Sequence, residues 1–309
     1  VFGWLSSHEQ WDEYKRVATD PAPRVASGWV ELDKLLHRKS FGPGTFVILA
    51  GRMHTRKTAV ALNLAANMLE AGVPVGWAGL DEAPHMYVAK LASVFTQIPH
   101  TELDELWNTP DMENVRQLYL SKTKYLAMTK GHRPSLDSLS DWLEMCDVAG
   151  FLPRVVFIDY LALLERNKFD GKDTSRIPRL AEELQVWTNK HELVTIVLHQ
   201  VGRQYDSTSR YHGSSPVTPE QLMYGGEQQA DIILATYRPA LDPIGNMTWE
   251  EAESEGVDYE EWLKRSDRVI AYRDDTMLQL IKNRPGVHLH PQGLRLRSVG
   301  LSQKMEVVT

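Results

Sequence analysis

Residues 8–19, HEQWDEYKRVAT, bring Trp11, Tyr14 and Val17 to one side at helical spacing and then meet the breaker run DPAP. The spacing predicts a single amphipathic helix whose stripe needs cover, from its own domain or from a neighbouring subunit. From residue 45 onward the pattern becomes strand, loop, helix, strand. TFVILAG is a short apolar run, KTAVALNLAANMLEAG is a helix ending at Gly72, and VPVGWAGLDE is a second strand ending on carboxylates. Further strands are predicted at VVFIDYL (155–161), VTIVLHQ (194–200), DIILATY (231–237) and MLQLIKN (277–283), with helical segments such as SRIPRLAEELQVWTNKH between them. Strands apolar almost throughout and alternating with helices define an α/β fold, a mostly parallel twisted sheet with helices on both faces. Ligands of such sheets bind beyond the C-terminal strand ends, where Gly51, Asp81, Asp159 and Gln200 fall.

Two stretches interrupt this rhythm. Residues 202–226 are polar, glycine-rich and long, as functional loops often are. Residues 239–268 read as an acidic surface excursion, helical in part.

Composition narrows the possibilities. A chain of 309 residues with 42% hydrophobic and 24% charged residues can bury a sizeable core as a soluble globular protein. The net charge of −7 excludes a broad basic coat, so any nucleic-acid contact must come from a local basic patch. No apolar run approaches the roughly 20 residues of a membrane span, and VFGWLSSHEQ carries no secretory signal. Cys146 is the single cysteine, which excludes an intrachain disulfide and fits a reducing cytoplasm and a buried structural thiol. His288 and His290 in HLHPQ have no other metal ligand near them in sequence and read as strand-edge histidines.

The stretch GRMHTRKT (51–58) carries the chemistry. A phosphate-binding loop is written G-x-x-x-x-G-K-[ST]: backbone N–H groups wrap the phosphates, the lysine neutralises them and the hydroxyl holds Mg²⁺. Gly51, Lys57 and Thr58 stand at that spacing, between an apolar strand and a strong helix, but Arg56 occupies the second glycine position. The expectation for Arg56 is a right-handed helical backbone with its side chain turned away from the β-phosphate or out toward solvent. VVFIDY adds an acid, Asp159, at a strand end about a hundred residues on, as a Walker-B carboxylate that orients the Mg²⁺ shell. Asp81 and Glu82 end the intervening strand, and one of them is placed to activate water as a general base.

In this setting ASGWVELDKLL and FGPGTFVILAGRMHTRKTAVALNLA resemble the entry strand and P-loop of DnaB-type replicative helicases, members of the RecA-like motor class. The likeness continues, in family order, through GLDEAPHMYVAKLAS, VVFIDYLALL, VLHQVGRQ, EQQADIILATYR and LIKNR, over roughly residues 26–300. It implies a RecA-like P-loop ATPase domain over 26–309 with an acidic insertion near 239–268, preceded by a linker or oligomerisation helix in 1–25. Lys57 and Thr58 would serve ATP phosphate and Mg²⁺ (or Mn²⁺), and Asp159 the metal shell. An ungapped match puts Asp81 at the family's catalytic glutamate, with Glu82 beside it as a substitute. Gln200 would be the γ-phosphate sensor, and Lys282 and Arg284 the pair inserted into a neighbour's nucleotide site. The implied assembly is a hexameric ring around single-stranded or forked DNA, working with replication or recombination proteins in the cytoplasm (the host's, if phage-encoded). The family's separate N-terminal domain is missing from this sequence, so a minimal phage- or mobile-element-like motor is expected. The family's arginine before EQ-x-AD is missing too; Arg203, Tyr205, Arg210 and Tyr211 offer charge and stacking faces for single strands instead.

Two alternatives stay open on sequence. Arg56 admits a DNA-binding ring with a degenerate nucleotide site. Asp81, Glu82, Asp159 and Asp274–Asp275 supply enough carboxylates for a metal-dependent nuclease acting on forked or branched DNA.

Overall fold

The computed structural model describes residues 6–19, 24–130, 134–164, 176–201, 213–222, 226–286 and 288–308. Nine strands form one sheet: β1 (Phe46–Gly51), β2 (Val75–Gly79), β3 (Leu126–Met128), β4 (Val155–Asp159), β5 (Val194–Gln200), β6 (Ile232–Tyr237), β7 (Asp275–Asn283), β8 (His290–Ser298) and β9 (Met305–Val307). Their order is β3-β2-β4-β5-β1-β6-β7-β8-β9. The first six in that order pair in parallel, and β7, β8 and β9 pair antiparallel.

The apolar runs lie where burial on both faces demands them. Every residue of β1, β4 and β6 is buried. One face is covered by α3 (Lys57–Glu70) and α4 (Pro84–Thr96), with Val47, Leu49, Trp77 and Phe157 pointing into that core. The rings of Trp77 and Phe157 stack with centroids 5.3 Å apart. The other face packs α6 (Leu136–Val148) and α7 (Arg176–Lys190) against Ile48, Ile158 and Val197. Cys146, on α6, is a buried free thiol. Two further helices lie in the early part of the chain, the short α2 (Val30–Leu35) and α5 (Pro110–Lys122). The predicted N-terminal helix is α1 (Ser7–Thr19), on which Trp11 is 65% exposed.

MLQLIKN was expected among the parallel strands, and β7 runs the other way. The acidic segment before it folds into α8 (Trp249–Ser254) and α9 (Tyr259–Ala271), capped by Thr248 and Asp258. Arg265 of α9 grips Asp242, just past the end of β6, through Nη2–Oδ1 (2.6 Å) and Nε–Oδ2 (2.8 Å). The connection thus stays at the edge where β6 ends, and a chain that re-enters a sheet from the edge it left must run antiparallel. Strands β3, β8 and β9 are not among those predicted from the sequence; β3 and β9 are three residues each, and β8 alternates only over Leu294-Arg295-Leu296-Arg297.

Candidate nucleotide site

Beyond the C-terminal end of β1 the chain turns through residues 52–56 and enters α3 at Lys57. Gly51 is fixed by its neighbours, because a Cβ there would clash with Thr236 Oγ1 and sit 2.7 Å from Thr55 Oγ1. The two threonine hydroxyls bond each other at 2.8 Å, and Thr55 Oγ1 also donates to the Arg52 carbonyl at 2.8 Å, which pins the turn onto β6. Lys57 Nζ crosses the loop to the Arg52 carbonyl (2.7 Å). Thr58 Oγ1 donates to Asp159 Oδ2 at 3.0 Å. Asp159 comes from β4, two strands from β1, so sheet order brings together residues far apart in sequence.

The electrostatics suit a polyanion and a cation. Burial pushes Lys57 down to about 8, against the pull of the Asp159 and Asp81 carboxylates. Burial likewise raises Asp159 to about 6; the Thr58 hydrogen bond and Lys57 oppose the rise, while Asp81 and Glu82 add to it. A buried carboxylate held off its ordinary range beside a hydroxyl is a donor set that a hard divalent cation satisfies. The residues therefore fit Mg²⁺.

The loop after β2 is tied to the same residue. Leu80 N–H (2.7 Å) and Asp81 N–H (3.1 Å) both donate to the Asp159 carbonyl. Tyr87, on α4, accepts from Glu82 N–H at 3.2 Å and donates to Asp159 Oδ2 at 3.4 Å. Lys90 Nζ holds both Glu82 oxygens at 2.5 Å, and the neighbouring Asp81 is exposed. Gln200 ends β5 directly beside Gly51. Tyr87 is a site residue that sequence reasoning missed. Its signal was Gly79, where a Cβ would run into the Tyr87 ring.

Arg56 corrects an expectation. Its backbone is left-handed (φ 62, ψ 31), not right-handed helical. The loop needs the conformation that the pattern's glycine supplies, and arginine adopts it at a cost of about 1–2 kcal/mol. Its side chain does leave the loop: Nη1 reaches the Asp274 carbonyl (3.0 Å) and Ser298 Oγ (2.5 Å), where β7 begins and β8 ends. Two such hydrogen bonds, at about 1 kcal/mol each, offset the backbone strain.

Lys282 and Arg284 stand apart from this cluster. Lys282 pairs with Ile233 near the start of β6, at the opposite edge of the sheet from Lys57. Lys282 Nζ donates to the carbonyls of Glu227 (2.6 Å) and Gln228 (3.1 Å). Arg284 bonds Asp231 Oδ1 (3.1 Å) and the Gln228 carbonyl (2.9 Å). Arg203, Tyr205, Arg210 and Tyr211 lie outside the described residues. The segment that carries them leaves at Val201, whose N–H bonds the Gly51 carbonyl (3.1 Å). It returns at Gly213, where a Cβ would meet Thr55 Cγ2 at 2.8 Å.

Nothing in the structure supports the nuclease alternative. Both oxygens of buried Asp275 are taken by Arg295 and Arg297. Among the described residues, no group of three or more His, Cys, Asp or Glu could hold a metal ion.

His199, paired with Ala50 across β5 and β1, is a second residue missed. Burial, with Lys57 adding to it, lowers its ring to about 4, and Nδ1 has no hydrogen-bond partner among the described residues. Between pH 6.5 and about 4 the unfolded chain therefore binds a proton there that the folded chain refuses, and stability falls as the pH drops through that window. Asp159, raised, contributes with the opposite sign over part of it. The His199 share, on the order of 2–3 kcal/mol at pH 4, is expected as a difference: chemical unfolding of His199→Leu should show a correspondingly shallower acid loss than the parent chain.

A helix that opens on Lys57 and Thr58, with the hydroxyl against a strand-end carboxylate two strands away, is the arrangement of the P-loop NTPases in their RecA-like form. Residues 24–287 match the DnaB-like helicase C-terminal domain. The chain belongs to that family. Its relatives include the replicative DNA helicase DnaB of Helicobacter pylori, 26% identical over 218 residues, 69% of this chain and 44% of that protein. A probable plasmid replicative DNA helicase of Chlamydia psittaci is 24% identical over 235 residues, 74% of this chain and 50% of that one. The chain thus spans about half the length of the curated relatives it matches. Among solved structures, one described as an ATPase domain superposes with a TM-score of 0.75 at 18% identity, covering 100% of both chains. A DnaB-like replicative helicase described with its interactions with primase gives 0.71 at 18% identity, covering 98% of this chain and 67% of that one.

Proposed function

We propose that this chain is an ATP-driven motor that moves on single-stranded or forked DNA as a homo-oligomeric ring, hexameric by family likeness, in the cytoplasm during DNA replication. The observation that carries the reading is the contact between Thr58 and Asp159 beside a half-buried Lys57. In this reading Lys57 draws the β/γ-phosphates of ATP into the loop, where N–H groups at the start of α3 meet them. Thr58 and Asp159 would hold Mg²⁺, which neutralises charge on the phosphate oxygens. Asp81, exposed and next to the Lys90-bound Glu82, takes the proton from the attacking water. Gln200, adjoining both Gly51 and the start of the 202–212 segment, relays the state of the γ-phosphate to that segment, which carries the DNA contacts Arg203, Tyr205, Arg210 and Tyr211. Lys282 and Arg284 face away from their own site and reach the neighbour's, as a charge-stabilising finger does. Among the described residues no helix is long and apolar enough to cross a membrane. Primase or other replication proteins are partners by family likeness.

The test is Mg²⁺-dependent ATP hydrolysis with and without a single-stranded oligonucleotide. Asp81→Asn is expected to lower kcat by about 10²-fold or more with little change in KM. Glu82→Gln should cost far less, its carboxylate being committed to Lys90. Hydrolysis absent from the parent chain, with or without DNA, would leave the degenerate-site reading standing.

A further inference from the structure

Position 56 demands a left-handed backbone that glycine would adopt without strain, yet it holds an arginine whose Nη1 makes two hydrogen bonds where β7 begins and β8 ends. The Asp274 carbonyl that accepts from Arg56 also accepts from Ser298 N–H at 3.1 Å. The next residue, Asp275, is buried and clamped by Arg295 and Arg297 from β8. The point that Arg56 grips is therefore one of the more firmly held in the sheet. From there β7 runs, bonded to β6 on one side and β8 on the other, to Lys282 and Arg284 at the far edge. We infer that Arg56 is a positioning residue, a latch that registers the phosphate loop against strand β7, so that the loop and the basic pair at the strand's other end are set together.

The inference rests on the ATPase reading above for its kinetic consequence but not for its structural one. In steady-state hydrolysis with saturating oligo-dT, Arg56→Gly should lower kcat about fivefold, within the range of coupling mutations that touch no ligand, and leave KM for ATP within twofold. Ser298→Ala removes one of the two acceptors at a residue far from the phosphates, and should lower kcat two- to threefold with the same unchanged KM. The double variant should be no slower than Arg56→Gly alone, because both act through one contact. In amide hydrogen exchange, Arg56→Gly should speed exchange at 51–58 and at 274–278 together. A faster Arg56→Gly enzyme with Ser298→Ala silent, strictly additive losses, or exchange confined to 51–58 would each overturn the latch. If the parent chain hydrolyses no ATP, the ATPase reading fails, and the exchange measurement still decides the latch.

Discussion

Replacing Lys57 with alanine is expected to abolish ATP hydrolysis while leaving the fold intact or slightly firmer. The two outcomes have one cause. Burial depresses Lys57 to about 8, so the folded chain without nucleotide holds a cation that costs it roughly 3 kcal/mol relative to the unfolded chain, nearer 2 after solvent screening. Its partner in the loop is a backbone carbonyl, that of Arg52. Bound triphosphate reverses the balance, because the buried charge then meets its counter-charge. Removing the side chain should therefore raise the melting temperature without nucleotide by up to a few degrees. Hydrolysis should fall by 10²-fold or more, because charge-stabilising groups at a phosphoryl centre act chiefly on the transition state. Calorimetry and a phosphate-release assay on the same preparation check both halves. Full activity in Lys57→Ala would remove the site assignment outright.

The second large effect concerns Arg284. A finger supplied in trans contributes about 10³-fold or more to kcat, so Arg284→Ala is expected to reach a similar floor while ATP binding persists. Its position adds a consequence that a residue acting in its own site would not have. Arg284 sits at the edge of the sheet opposite its own Lys57, anchored to Asp231 and Gln228. Mixing inactive Lys57→Ala chains with inactive Arg284→Ala chains should therefore restore hydrolysis. Contacts that pair an intact phosphate loop with an intact finger form in such mixtures and in neither parent. A mixture as inactive as its components would place the arginine outside catalysis. Its contacts with Asp231 and Gln228 would then be its whole role, the salt bridge being worth less than about 1 kcal/mol at that exposure.

Much of this was legible because the sheet core is written in unbroken apolar runs: β1, β4, β5 and β6 lie where TFVILAG, VVFIDYL, VTIVLHQ and DIILATY put them. The meeting of Thr58 with Asp159 followed from two strand ends in a parallel sheet. What sequence could not supply was direction and side-chain reach. Strand β7 offers the apolar positions Met277, Leu278, Leu280 and Ile281 with no mark of direction, and the side on which α8 and α9 pack reverses it. The left-handed Arg56 was misjudged although it stands where the pattern has glycine, because the contacts that offset its strain lie more than two hundred residues away. Tyr87 and His199 were invisible for a related reason: each is an ordinary residue on a helix or strand, made significant by what lies across the sheet from it.

The reversal of β7 carries one further consequence. Had the strand joined the sheet in the sense of β6, Lys282 and Arg284 would emerge at the end of the sheet that carries their own Thr58 and Asp159. Running backward, it sends them out at the far side. If they act as the proposed finger, the chemistry has no home in a single copy, and selection for turnover acts on the seam between two copies rather than on the fold. In that reading a protomer is stable and well packed, yet turns over almost no nucleotide until another copy arrives.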